Sequence, residues 1–170
     1  MGYEIAAAVG AKIAEPNKEV YALVGDGSFL MLHTELITAL QYNYKINIIL
    51  FDNSGFGCIN NLQMGNGSES FCTEFTDYNG QPLNIDYQKV AEGYGAKSYK
   101  VNDTKSLATA IEQAKQETKS TLIDIKTLPK TITDGYETLW NVRVSEHSDK
   151  PSIKEAFSQK AQTMKTAKHY

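Results

Sequence analysis

VYALVGDGSF, residues 20–29, and INIILFDNSGFG, residues 46–57, decide the fold of this chain. In each, an apolar run ends in a cluster of glycine and polar residues that cannot continue a buried strand. Val20–Val24 and Ile46–Phe51 therefore read as buried parallel strands. Between them, Leu30–Tyr42 carries Leu32, Leu36, Ile37 and Leu40 at helical spacing and reads as one crossover helix. A right-handed strand–helix–strand crossover brings both loops to the carboxyl edge of the sheet. Asp26 and Asn53 are 27 residues apart in sequence, yet this topology predicts that they lie close in space.

Their chemistry is specific. A carboxylate and an amide oxygen at neighbouring strand ends are hard ligands of the kind Mg²⁺ takes alongside phosphate and water oxygens. Gly25 and Gly27 flank Asp26 and let a phosphate approach the backbone. The N–H groups of Gly27, Ser28 and the following helical turn are predicted to face anionic oxygens. The pattern suits a Mg²⁺-bridged diphosphate. A Gly-Asp-Gly turn alone would carry little weight, because such turns are common. The strand contexts and the loop Asn53-Ser54-Gly55-Phe56-Gly57 make it more specific.

The rest of the chain alternates in the same way. Residues 3–15 read as an alanine-rich helix closing before Pro16. Residues 86–93 read as a helix with Tyr87, Val90, Ala91 and Tyr94 on one face. Residues 96–101 form a short strand, and a helix capped by Thr104 buries Leu107, Ala110, Ile111 and Ala114. Thr121–Ile125 is a further buried strand, ended by Leu128-Pro129. The expectation is a doubly wound α/β domain with a mainly parallel sheet and helices on both faces. Its predicted extent is residues 1–143, followed by a polar tail, 144–170, expected to be mobile with a weak helix over 152–165.

A chain of 170 residues with 41% hydrophobic and 22% charged residues fits one globular domain. Its net charge of −3 argues against nucleic acid as a partner. No apolar stretch approaches a membrane span, and the N-terminus has no signal-peptide pattern. Two cysteines, Cys58 and Cys72, make no disulfide framework, so the expected location is the cytoplasm.

GDGSF, followed by an Asn after 27 residues at the end of an apolar strand, resembles the signature of thiamine-diphosphate-dependent enzymes. The resemblance implies Asp26 and Asn53 as side-chain metal ligands and the Gly55 carbonyl as a third. It implies cofactor contacts from Gly25, Gly27, Ser28, Phe56 and Gly57. Met1 matches the bulky apolar residue that bends the cofactor into its V shape, although an initiator methionine reads the same way. The usual Asn-Asn pair is Asp52-Asn53 here, which puts an extra carboxylate near the diphosphate.

FDNSGFGCINNLQMGNG and FCTEF, then STLIDIKTLPKT with Gly135-Tyr136-Glu137 and Trp140, resemble the trihydroxycyclohexane-dione hydrolases of myo-inositol catabolism. Cys58, Asn60, Asn61 and Gln63 are the candidates for contact with a polyhydroxylated cyclic dione, since amides both donate and accept. A solvated loop would have the same composition. By resemblance, the complete enzyme cleaves a C–C bond of the dione and needs a glutamate that activates the cofactor. That glutamate belongs to an N-terminal domain, generally of a neighbouring subunit in a homo-oligomer, and no glutamate here matches it. The chain therefore reads as the C-terminal part of a larger enzyme, inactive alone. The alternatives are the cofactor subunit of a split decarboxylase or acetolactate-synthase-like enzyme, and a non-catalytic remnant.

Overall fold

The computed structural model describes residues 1–131 and 143–166. The Gly135-Tyr136-Glu137 and Trp140 segment lies outside the described residues. Contacts divide the chain into two units, Met1–Phe56 with Phe75–Pro129, and Gly57–Glu74 with Lys130–Tyr170. This division falls elsewhere than the sequence-based boundary at residue 143.

The first unit is a four-stranded sheet with helices on both faces. Its strands are β1 Tyr21–Gly25, β2 Asn47–Asp52, β3 Lys97–Val101 and β4 Thr121–Lys126, in the order β1-β2-β4-β3. Every pairing is parallel. Its helices are α1 Glu4–Ala14, α2 Asp26–Leu32, α3 Glu35–Gln41, α5 Tyr87–Tyr94 and α6 Thr104–Gln116.

Alternation along each strand sorts the core into two layers. Ala22, Val24, Ile48, Leu50 and Leu122 point to one face, against Ile5, Ala8 and Val9 of α1, Phe29 of α2, Leu36 and Ala39 of α3, and Tyr87 and Ala91 of α5. Val101 and Ile123 point to the other face, against Ala110 and Ala114 of α6, with Leu107 and Ile111 packed at the edge. The sheet is thus doubly wound, as the alternating pattern required.

Two local expectations are corrected. The crossover is two helices, not one starting at Leu30. The first begins at Asp26 itself, so the Gly-Asp-Gly stretch ends β1 and opens α2. An acidic residue in the first turn faces the positive end of the helix dipole. The break falls at His33-Thr34, where Leu36 and Ile37 donate to the carbonyls of His33 and Thr34 in tighter three-residue turns. His33 is fixed there by stacking on Phe29 and Tyr94, whose hydroxyl lies 3.0 Å from its Nδ1. The break turns the apolar stripe, so Leu36 is buried while Leu32 and Ile37 are 40% and 44% exposed. The second correction concerns α6, whose cap is Asp103 rather than Thr104. The Asp103 side chain accepts from Ser106 N–H at 2.6 Å, and the Ser106 hydroxyl answers the Asp103 backbone in a capping box.

The second unit contains α4 Gly57–Gly65 and α7 Pro151–Thr166. Gly67, at φ +80°, lies so close to the Ser152 backbone that a Cβ there would sit 2.5 Å from its carbonyl oxygen. The Ser152 hydroxyl donates to the Gly67 carbonyl at 2.7 Å. Lys150–Glu69 and Lys130–Glu74 ion pairs join the same segments.

Candidate metal and diphosphate site

Register fixes the site. Gly25 pairs with Phe51, so Asp26 and Asn53 leave adjacent parallel strands at the same edge. Asp26 is fully buried. Its Oδ1 accepts from Gly27 N–H at 3.0 Å and its Oδ2 from Gly55 N–H at 2.9 Å. Burial raises its carboxyl above the usual range, and these backbone donors pull part of the way back. The Gly27 N–H is thus turned inward to Asp26, not outward as the sequence led us to expect.

The Asn53 amide completes the group. One of its two polar atoms lies 3.1 Å from Asp26 Oδ1 and 2.9 Å from the Gly55 carbonyl oxygen. With nitrogen in that position the amide donates to both. With oxygen there, it faces two other oxygens, contacts that a cation between them would make favourable. Neighbouring oxygens around Mg²⁺, at roughly 2.1 Å from the metal, lie about 3.0 Å apart. The two contacts have that length, so the donor set suits Mg²⁺ with the amide oxygen turned inward. The donors are one carboxylate, one amide and one carbonyl. Among the described residues no group of three His, Cys, Asp or Glu could hold a metal.

The glycines differ in what they answer to. A Cβ on Gly27 would lie 2.6 Å from Phe56 Cδ1, so the Phe56 ring occupies that space. The same ring meets Phe75 edge-on at 5.5 Å. Gly25 is exposed, has φ −78°, and has no atom within 4 Å of where a Cβ would stand. The fold does not require glycine there. Ser28 is half-buried in the first turn of α2. Met1 is 64% exposed, and Gly2 after it packs against Met31 of α2.

Gly57, Cys58, Asn60, Asn61 and Gln63 belong to α4 in the second unit. Much of this amide run is used internally. Buried Asn60 accepts from the Ser70 hydroxyl at 2.7 Å. Gln63 clamps the Phe71 backbone with both ends of its amide, at 3.0 and 3.1 Å, and accepts from Thr73. Asn61 donates to the Thr131 carbonyl at 3.1 Å. Cys58 and Cys72 are exposed and not disulfide-bonded.

The sequence did not point to Lys126 or Asp124. Lys126 pairs in register with Asp52 and makes an ion pair with it. A lysine closing a buried strand was the available signal. Asp124 is 2% exposed, and its Oδ1 is buried with no partner among the described residues. Burial raises its carboxyl above the ordinary range. Between the ordinary value and the raised one, the folded chain keeps a proton that the unfolded chain has released. Stability is greatest below the ordinary carboxylate value and falls as pH rises through the raised one. Asp124→Asn should flatten that slope and stabilise the chain at neutral pH by about 1 kcal/mol. Melting curves from pH 4 to 8 for both proteins check this, and a variant that melts lower at pH 7 would refute it.

A family model described as thiamine pyrophosphate enzyme, C-terminal TPP binding domain, matches residues 1–125. Proteins named 3D-(3,5/4)-trihydroxycyclohexane-1,2-dione hydrolase are similar along the whole chain. Identity is 59% over 170 residues for the Bacillus velezensis protein and 57% for that of Bacillus subtilis. It is 60% over 171 residues for the Listeria monocytogenes protein. Each match takes in 100% of this chain but only 27% of the relative. Among solved structures, the thiamine diphosphate-dependent 4-hydroxybenzoylformate decarboxylase of Rhodococcus jostii RHA1 superposes with a TM-score of 0.64 at 29% identity. That match covers 77% of this chain and 24% of the decarboxylase. Fold, loop geometry and family match agree: the chain belongs to the thiamine pyrophosphate enzymes, as their C-terminal TPP-binding domain.

Proposed function

We propose that the chain anchors thiamine diphosphate through Mg²⁺ held by Asp26, Asn53 and the Gly55 carbonyl. We further propose that it does so as part of a hydrolase that opens a trihydroxycyclohexane-1,2-dione by C–C cleavage in myo-inositol catabolism. One observation carries the first statement: the Asn53 amide lies 3.1 Å from Asp26 Oδ1 and 2.9 Å from the Gly55 carbonyl oxygen. The second is supported by the relatives' names and the 57–60% identity.

When bound, the cofactor supplies a carbon nucleophile and an electron sink. The chain's own contribution is placement. Asp26 and Asn53 would hold the cation, and bare Gly25 leaves room for phosphate beside it. Phe56, seated on Gly27, closes the inner side of the loop. Mg²⁺ held there would anchor the diphosphate and would leave the carbon chemistry to the cofactor. The activating glutamate, and with it turnover, would come from the remaining length of the enzyme or from a neighbouring subunit of a homo-oligomer. The exposed thiols suit the reducing cytoplasm.

Calorimetric titration with thiamine diphosphate, with and without Mg²⁺, tests the reading. Binding is expected only with Mg²⁺, and no dione should be consumed by the chain alone. Binding indifferent to Mg²⁺, or none by a folded chain, would contradict the anchoring role.

A further inference from the structure

Asp52 closes β2 one residue before Asn53 and is 4% exposed. Its carboxylate works in two directions. Oδ1 accepts from Ser54 N–H at 3.0 Å, and Oδ2 accepts from Lys126 Nζ on the neighbouring strand. Its carbonyl accepts from Thr127 N–H at 2.8 Å and from the Thr127 hydroxyl at 3.2 Å. Ser54 is held at φ +62°, and its carbonyl accepts from Phe75 N–H at 2.9 Å. The turn that presents Asn53 and Gly55 is thus pinned by Asp52 on one side and Phe75 on the other.

Charge is the second half of the observation. A buried carboxylate beside Asn53 would draw a bare cation into the loop and repel a diphosphate. Lys126 supplies the opposing charge. Its Nζ pairs with Asp52, lies 3.8 Å from Asp124 Oδ2 and 5.5 Å from the centre of the Tyr87 ring, and its field reaches Asp26. We infer that Lys126 is a positioning residue that neutralises Asp52, so that the Asn53–Gly55 loop accepts a cation together with diphosphate rather than the cation alone. This rests on the cofactor reading above.

The test uses the full chain, Lys126→Met, and the double variant Asp52→Asn with Lys126→Met. Mn²⁺ alone is titrated by electron paramagnetic resonance, and thiamine diphosphate at saturating Mg²⁺ by calorimetry. In Lys126→Met, Mn²⁺ should bind tighter and thiamine diphosphate weaker, each by roughly three- to tenfold. The double variant should bring both within about twofold of the parent. A purely structural role would weaken both in the single variant, so changes of the same sign overturn the inference. Unchanged values, or no recovery in the double variant, overturn it as well. Ligand-free melting is a separate arm, in which the single variant should melt below the double, and equal melting counts against the pair. A parent chain that binds neither Mn²⁺ nor thiamine diphosphate defeats the cofactor reading itself, and this inference with it.

Discussion

Asp26→Ala abolishes Mg²⁺-dependent binding of thiamine diphosphate while leaving a folded chain: this is the outcome expected of the calorimetric comparison. Two losses combine. On the proposed reading, the cation would lose the one carboxylate among its three protein donors. The Gly27 and Gly55 N–H groups lose their common acceptor inside a fully buried site. Each unpaired buried donor costs about 1–3 kcal/mol, partly offset because the desolvated carboxylate is gone as well. A net destabilisation of about 1–3 kcal/mol is therefore expected, visible as a lower melting temperature without loss of cooperativity. Retained Mg²⁺-dependent affinity in this variant would remove Asp26 from the cation's shell.

The second large effect separates two glycines that look equivalent in sequence. Gly27→Ala places a methyl 2.6 Å from Phe56 Cδ1 and 2.9 Å from Cε1. Phe56 must leave its seat against Phe75, which should destabilise the chain by about 1–3 kcal/mol and shift the adjoining Gly55. Gly25→Ala meets no protein atom within 4 Å and keeps an ordinary backbone conformation. It should melt within about 0.5 kcal/mol of the parent yet bind thiamine diphosphate at least about tenfold more weakly, because its methyl enters the space assigned to phosphate. Thermal melts and titrations of the two variants side by side decide the matter. A Gly25→Ala chain with parental affinity would place the diphosphate elsewhere.

The strands were legible because their signal is local. Tyr21–Gly25 and Asn47–Asp52 are apolar runs closed by turn residues, and nothing distant is needed to find them. The likeness to thiamine-diphosphate enzymes was legible because a motif joined two such runs at a fixed spacing. The crossover break was hidden, since Leu32, Leu36 and Ile37 obey one helical period and only the stacking of His33 between Phe29 and Tyr94 interrupts it. Thr104 looked like a cap because threonine often is one, while the neighbouring Asp103 has the better acceptor and a serine three residues on. The carboxylate of Asp52 was visible in the sequence beside Asn53. Its partner was not, because Lys126 lies 74 residues away and meets it only through strand register. The amide run of α4 suggested a surface open to a polyol. Local composition could not reveal that Gln63 and Asn60 were already committed to Phe71 and Ser70.

The parallel register has a consequence for how this site tolerates change in length. Because Gly25 is held opposite Phe51 by backbone pairing, the relative placement of Asp26 and Asn53 is set by the ladder and not by the intervening chain. With β2 held in register, the number of residues between the two donors can vary only in the crossover helices and their connections. Residues added or removed between α2 and α3 would be absorbed as a longer or shorter bend, with both donors left where they are. An insertion inside β2 would instead turn every later side chain to the opposite face and separate the ligands. Searches for distant relatives by motif should therefore allow the spacing to float and hold the strand ends rigid.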